Sequence, residues 1–101
     1  MAWASAYIAK LQNGETISFR PRGNSMTGKI SSGQLCTIAP IKNLSDLKKG
    51  DIVLCKVSGN QYLHLINAIQ AERYQIANNH GHINGWTNGK NIYGKLIKVE
   101  S

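Results

Sequence analysis

Turn-forming residues interrupt this chain at short intervals, and this spacing constrains the possible fold more than any other feature. Between the turns lie short runs rich in β-branched and aromatic residues, which recur about every 8–12 residues. The clearest example is the pair of runs at 51–57 and 61–69, which flank Ser58-Gly59-Asn60, a sequence typical of a β-hairpin turn. Six or seven such runs predict an all-β domain, built as a small, coiled, mainly antiparallel β-sheet or a partly open barrel.

The first residues show a different periodicity. Apolar side chains between Trp3 and Leu11 fall on one face of a 3.6-residue repeat, which predicts a short N-terminal helix. Asn13-Gly14 supplies the left-handed residue that commonly ends a helix. A chain of 101 residues is long enough for one core, so we expect one domain, with a helix in 1–14 and a β core in 15–101.

The strand-like runs also set the expected order of elements. Residues 78–90 are rich in asparagine, glycine and histidine, and we expect them to form a loop that carries Trp86. Strands are predicted at 15–20, 34–40, 51–57, 61–69, 72–77 and 91–99.

The charge of the chain narrows the class of partner. Lysine and arginine outnumber acidic residues by 12 to 5, which gives a net charge of +7, but no basic run is longer than Lys48-Lys49. Scattered positive charge attracts acidic partners in general. Nucleic acid therefore stays open as a weakly supported partner, with Trp86 and Tyr93 as candidate stacking residues.

The apolar runs and the cysteines indicate the compartment. No stretch approaches the ~18 apolar residues that span a bilayer, and the first residues lack the pattern of a secretory signal. Cys36 and Cys55 lie inside apolar runs without metal-type spacing, so we expect buried free thiols. These features predict a cytoplasmic protein with no membrane association, and we expect a monomer or a homodimer.

Gly23-Asn24-Ser25-Met26 is the segment with the clearest chemical content. It follows the first predicted strand and is bounded by Pro21 and Gly28, so the backbone must turn sharply there. A serine on such a turn can be presented to a substrate as a nucleophile, with backbone N–H groups nearby for an oxyanion. Serine turns are also common loop chemistry, in which the hydroxyl bonds its own backbone. The segments downstream therefore decide between the two interpretations.

Those segments follow the serine turn in an order that resembles the fold shared by the self-cleaving LexA and UmuD domains and the type I signal peptidases. In that superfamily a Gly-[Asp/Asn]-Ser-Met box carries the nucleophile, two Gly-Asp strands follow, a later strand carries the general base, and a Gly-x-[Val/Leu] strand closes the fold. The resemblance covers roughly residues 18–99, although the first Gly-Asp pair is Gly-Gln here. The matching segments are 23–26, 33–38, 47–54, 62–66 and 92–96.

The resemblance implies a role for each residue of a candidate site. Ser25 would be the nucleophile, with its backbone N–H as an oxyanion donor. His64 stands where bacterial members have a lysine base, and the eukaryotic and archaeal signal peptidases carry histidine at that position. Asn78 stands where the family has a supporting aspartate, so it would orient His64. Gly23, Asn24 and Met26 would shape the substrate cleft.

The same resemblance leaves two classes of function open. One is a serine peptidase-like hydrolase with a Ser-His dyad, acting in trans, because the chain contains neither the Ala-Gly nor the Cys-Gly bond that LexA-type proteins cut in themselves. The other is a catalytically silent LexA-like domain that binds a protein partner in a regulatory or inhibitory role, of the kind that phages encode. His64 would then be a core residue satisfied by a backbone carbonyl.

The sequence also contains a histidine pair of the kind that can bind a metal ion. His80-Gly81-His82 offers two imidazoles, and His64 is a conceivable third ligand. A His-x-His pair in a glycine-rich turn has little specificity. We therefore expect no metal and no cofactor.

Overall fold

The computed structural model describes residues 3–101; the beginning of the predicted helix, at Met1 and Ala2, lies outside the described residues. The all-β class is confirmed, with one short α-helix and a single sheet of seven strands. The elements are α1 (Ser5–Gln12), β1 (Ile17–Phe19), β2 (Leu35–Pro40), β3 (Ile52–Val57), β4 (Asn60–Gln70), β5 (Arg73–Ala77), β6 (Ile83–Asn88) and β7 (Ile92–Glu100).

The sheet is antiparallel throughout and open. Its strand order is β1-β2-β7-β3-β4-β5-β6, so β1 and β6 are the two edges. The sheet nevertheless coils, because β6 approaches β3 from across two intervening strands. The Thr87 hydroxyl donates a 2.7 Å hydrogen bond to the carbonyl of Lys56. This coiling turns the end of β6 towards the middle of the molecule.

The hairpin between β3 and β4 agrees with the sequence prediction. Its two loop residues, Ser58 and Gly59, have φ angles of 51° and 82°, the left-handed pair that a tight hairpin turn requires. Pairing is regular from Val57 opposite Asn60 to Ile52 opposite Leu65. The regular register fixes which face of the sheet each residue of β4 occupies.

The predicted loop at 78–90 is wrong in its second half, because Ile83–Asn88 forms strand β6. Three contacts hold this strand despite its polar composition. Trp86 lies opposite Gln75 on β5, the Arg73 guanidinium stands 5.8 Å from the centre of the Trp86 ring, and buried Thr87 bonds Lys56. Long-range pairing therefore overrides a local composition that is typical of loops.

Two clusters of buried side chains form on opposite faces of the central strands. Strand β3 contributes to both, because its side chains alternate in direction along the strand. The first cluster, under α1, contains Ala4, Ile8, Leu11, Ile17, Phe19, Met26, Ile30, Cys36, Ile38, Ile52, Leu54 and Leu63. The second contains Leu47, Val53, Cys55, Val57, Ile66, Tyr74, Ile76 and Ile92.

The helix α1 begins at Ser5 and ends before Gly14, whose φ of 84° makes the predicted left-handed stop. It packs closely on β7 at Gly94. A Cβ atom there would come within 2.9 Å of Leu11 Cδ1 on α1 and 2.6 Å of Ile38 Cγ2 on β2, so only glycine fits. Within residues 3–101, no helix has the length and apolar character that crossing a membrane requires.

Both cysteines are free and buried, as predicted. Cys36 belongs to the first cluster and Cys55 to the second. Burial raises the pKa of the Cys55 thiol to about 12, because a thiolate would lose its hydration there. Burial also raises the pKa of Cys36.

Candidate active site

Ser25 is presented on a tight turn that follows β1. Gly23 and Gly28 have φ angles of 115° and 100°, a region that L side chains rarely adopt, so glycine is required at both ends of the turn. Buried Met26 anchors the turn in the first cluster and leaves Ser25 exposed. The Met26 carbonyl accepts the N–H of Ile30 at 2.8 Å, which closes one helical turn after the serine.

His64 lies on β4 opposite Val53 and is 8% exposed. Its ring stacks on Tyr62, two residues earlier on the same face of the strand, with the ring centres 4.9 Å apart. The imidazole is therefore held by a strand and by a neighbouring ring rather than by a loop. A side chain fixed in this way needs no further ordering to keep its geometry.

A continuous line of hydrogen bonds passes through His64. Its Nε2 is 3.1 Å from Ser25 Oγ, and its Nδ1 is 2.7 Å from Asn84 Oδ1. Because the Asn84 oxygen can only accept, Nδ1 must carry the proton and donate it. Nε2 is then the acceptor for the Ser25 hydroxyl proton. This tautomer is the one that a general base needs.

Asn84, and not Asn78, is the residue behind His64, which corrects the sequence prediction. Asn78 Oδ1 instead accepts the backbone N–H groups of His80 and His82, at 2.8 and 3.0 Å, and shapes its own loop. Asn84 reaches His64 through a β-bulge. On β5, Ile76 pairs with Gly85 and Ala77 pairs with Ile83, so Asn84 is the extra, unpaired residue of β6. A bulge of this kind redirects a side chain out of the regular alternation.

The loop at 78–82 is hydrogen-bonded to the serine turn. The backbone N–H of Asn79 donates to the Ser25 carbonyl at 2.9 Å, and its side-chain amide donates to the Thr27 carbonyl at 2.8 Å. His80 Nε2 donates to the Asn24 carbonyl at 2.6 Å. A Cβ at Gly28 would lie 3.0 Å from the Asn79 amide nitrogen, so glycine also makes room for this loop. The serine turn is thus fixed at three of its carbonyl groups, those of Asn24, Ser25 and Thr27.

Burial is the main influence on the pKa of His64. It lowers the pKa from the ordinary value, because the imidazolium would lose hydration. The hydrogen bond to Asn84 raises the pKa of His64, and the electrostatic interaction with the nearby His82 lowers it further. The net result favours neutral imidazole, the form that accepts the serine proton.

Ser25 and His64 open into a cleft of about 490 Å³. Of the three residues predicted to shape it, Gly23 and Met26 line the cleft. Asn24 does not line it, and its carbonyl accepts hydrogen bonds from the Thr27 hydroxyl and His80 Nε2. Within residues 3–101, no acceptor is found for the backbone N–H of Ser25, which leaves it available to an oxyanion. The lining consists of Trp3, Tyr7, Phe19, Arg20, Pro21, Arg22, Gly23, Ser25, Met26, Ile30, Ser31, Ser32, Gln61, Tyr62, Leu63 and His64.

The histidines do not assemble a ligand set. His64 and His80 use ring nitrogens on Asn84, Ser25 and Asn24. In the part of the chain that the structure describes, no three histidine, cysteine or acidic side chains come close enough to hold a metal ion.

Sequence reasoning missed Asn84, Asn79 and Tyr62. Asn84 and Asn79 lay in the predicted loop, where asparagine is ordinary turn chemistry. Of these three, only Tyr62 could have been predicted from the sequence. It precedes His64 by two residues, so the two side chains share a face in any strand. Comparisons with known protein families, with curated proteins and with solved structures found no match to this chain.

Proposed function

We propose that this protein is a serine hydrolase of the peptidase type that acts in trans on a protein or peptide. Ser25 is the nucleophile, His64 the general base, and Asn84 the residue that orients the imidazole. The observation that carries the proposal is the line of hydrogen bonds from Ser25 Oγ through both nitrogens of His64 to Asn84, at 3.1 and 2.7 Å. Both distances are within the reach that proton transfer needs. The order of motifs that resembles the LexA and signal peptidase fold points to the same chemistry.

The reaction follows from this geometry. His64 Nε2 takes the proton of Ser25 as Oγ bonds to the scissile carbonyl carbon, and the backbone N–H of Ser25 stabilises the resulting oxyanion. The imidazolium then gives its proton to the leaving amine as the C–N bond breaks, which leaves an acyl ester on Ser25. Water, deprotonated by His64, attacks this ester and releases the acid, and Ser25 recovers its hydroxyl proton. No step needs a metal or a cofactor.

A second candidate is a catalytically silent domain of the same fold that grips a protein partner as a regulatory or inhibitory module. The observation that favours it is the amide at Asn84. An amide orients an imidazole but carries no charge to stabilise the imidazolium that forms during attack. In either role we propose a cytoplasmic location, because both cysteines are free thiols of the kind that a reducing compartment maintains.

Labelling by a fluorophosphonate, a reagent that reacts preferentially with activated serines, separates the two candidates. We expect one adduct, mapped to Ser25 by peptide mass spectrometry and lost in Ser25→Ala. His64→Gln should slow labelling by at least about a hundredfold, because the serine loses its base. The matched control is Ser18→Ala, which removes an exposed hydroxyl on β1 that bonds Thr37 and should label as wild type.

Two results would contradict the hydrolase proposal. Folded wild-type protein that is not labelled anywhere across about pH 5–9 excludes a working dyad and favours the binding module. Labelling of His64→Gln at the wild-type rate excludes His64 as the base.

A further inference from the structure

The N-terminal segment builds one wall of the cleft that holds Ser25 and His64. Trp3 and Tyr7 pack with Phe19 into an aromatic group, in which the Tyr7 and Phe19 rings stack at 4.5 Å and the Trp3 and Phe19 rings lie 5.6 Å apart. Phe19 is buried, but Trp3 is 44% exposed on the cleft. Exposed aromatic surface beside a nucleophile is suited to a ring or another large apolar group.

This wall is tied to the strand that carries the base. Trp3 Nε1 donates to the Gln61 carbonyl at 3.1 Å, and the backbone N–H of Ala4 donates to Gln61 Oε1 at 2.6 Å. The Gln61 amide in turn donates to the Ser5 hydroxyl at 3.1 Å. Gln61 is only 6% exposed and lies three residues before His64 on β4. The wall and the candidate base therefore keep a fixed relation to each other.

The charged side chains that line the cleft are both positive. Two guanidinium groups, of Arg20 and Arg22, belong to its lining, and none of the five acidic residues of the chain does. Arg20 donates one N–H to the Gly33 carbonyl at 2.9 Å. Two of the acidic residues pair with lysines elsewhere, Asp51 with Lys95 and Glu100 with Lys98. Positive charge in a concave site attracts anionic substrates and disfavours cationic ones.

We propose that this cleft selects acidic peptides in which an aromatic side chain lies next to the scissile carbonyl and a negative charge lies within a residue of it. The aromatic side chain packs on the wall formed by Trp3, Tyr7 and Phe19, and the negative charge faces Arg22. This inference rests on the proposed function, because it names the substrate class of that same site.

Peptidyl diphenyl phosphonates test it directly, because the phosphorus takes the place of the scissile carbonyl. Acetyl-alanyl and acetyl-phenylalanyl phosphonates compare a small with an aromatic group. Succinyl-, acetyl- and β-alanyl-phenylalanyl phosphonates compare negative, neutral and positive charge at the same position. We expect the aromatic probe to label Ser25 about tenfold faster than the alanyl probe, as differences of this size in apolar pockets give. The succinyl probe should be about three- to fivefold faster than the acetyl probe, and this gap should close with added salt.

Variants assign each preference to a side chain. Trp3→Ala should reduce the ratio of phenylalanyl to alanyl labelling, and Trp3→Phe, which keeps an aromatic surface, should restore most of it. Arg22→Gln should remove the preference for the succinyl probe. Lys49→Gln is the matched control, because it removes the same charge from an exposed position away from the cleft.

The outcomes separate this inference from the proposed function. If Ser25 is labelled by all probes at one rate, the hydrolase proposal stands and the substrate class is wrong. If the β-alanyl probe is the fastest, or if Lys49→Gln behaves as Arg22→Gln does, the assignment of charge to Arg22 is wrong. If neither these probes nor the fluorophosphonate labels Ser25, the hydrolase proposal fails first.

Discussion

At the scale of single residues, the amide of Asn84 is the feature with the most chemical consequence. Its side-chain oxygen accepts a hydrogen bond from the Nδ1–H of His64 and so fixes the tautomer, as a carboxylate would. Its hydrogen bond raises the pKa of His64, but burial lowers that pKa by more. The pKa of His64 consequently lies below its ordinary value. This direction determines how activity depends on pH.

Only neutral His64 accepts the serine proton, so the rate of fluorophosphonate labelling should rise with pH through the pKa of His64. Because burial lowers that pKa, the midpoint of the rise should lie below the usual value of about 6.5. Asn84→Asp places a negative charge beside the imidazole and raises its pKa, which should move the rise to higher pH. Labelling rates across about pH 5–9 measure both effects.

Asn88→Asp is the control for this change, since it adds the same charge to β6 at an exposed position. It should leave the midpoint of the pH profile close to that of wild type. A midpoint above 6.5 in wild type, or identical shifts in the two variants, would contradict the role given to Asn84.

The residues of the candidate site were predictable to different degrees. Ser25 and His64 could be chosen because the order of motifs along the chain locates both, and the structure brings them to 3.1 Å. Asn84 could not be chosen, since it depends on which residue of β6 is left unpaired, and that register is set by pairing with a distant strand. Asn78, the choice from sequence, lies at the start of the loop that leads into β6, six residues before Asn84.

At the scale of elements, the loop at 78–82 acts as a brace for the serine turn. Its hydrogen bonds to the carbonyls of Asn24, Ser25 and Thr27 come from Asn79 and His80. The turn also has internal hydrogen bonds, from the Thr27 hydroxyl to the Asn24 carbonyl and from the Ile30 N–H to the Met26 carbonyl. The brace adds to these the contacts that fix the turn relative to the sheet, and so contributes to how precisely Ser25 meets His64.

Asn79→Ala removes the side-chain bond of this brace and leaves the backbone bond in place. We expect the free energy of unfolding to fall by about 1 kcal/mol, the usual cost of one such hydrogen bond. Labelling of Ser25 should slow by about tenfold or more, because small displacements of a nucleophile are costly. Chemical denaturation and probe kinetics provide the two measurements.

The control is Asn67→Ala, which also removes one side-chain amide bond, from β4 to Gln75 on β5 at 2.7 Å, between two positions that do not line the cleft. It should lose comparable stability and keep the wild-type labelling rate. Equal slowing in both variants would mean that labelling reports general stability and that the brace has no special part.

The elements themselves were largely readable from the sequence. Strands β3, β4, β5 and β7 coincide with β-branched runs, and the turn at Ser58 and Gly59 has the residues that its φ angles demand. Strand β6 was not readable, because its sequence of glycine, asparagine and threonine around Trp86 carries no periodic signal. Its stability comes from pairing with β5 and from the bond between Thr87 and Lys56, which are contacts between distant parts of the chain.

At the scale of the whole molecule, the two buried clusters share strand β3. Ile52 and Leu54 belong to the first cluster, and Val53, Cys55 and Val57 belong to the second. Neither cluster can open fully without disturbing this strand. The protein should therefore unfold as one cooperative unit, as small domains usually do.

The two thiols provide a test, because each cluster contains one. Cys36 and Cys55 are both fully buried, so alkylation requires opening of the cluster around each thiol. In increasing denaturant, the two should be alkylated with the same dependence on denaturant concentration, measured by peptide mass spectrometry. Modification of one thiol well before the other would show that the clusters open separately.

The bulge at Asn84 makes the candidate site sensitive to the number of residues as well as to their identity. Deleting a single residue between 78 and 83 would draw β6 along β5 by one position and point the amide away from His64, although Ser25, His64 and Asn84 would all survive in the sequence. A chain altered in this way would keep every sequence motif of the site, and yet its histidine would lack the asparagine that orients it. Among chains that share this serine box and histidine, active and silent members should thus be separable by counting the spacing from the histidine to the asparagine.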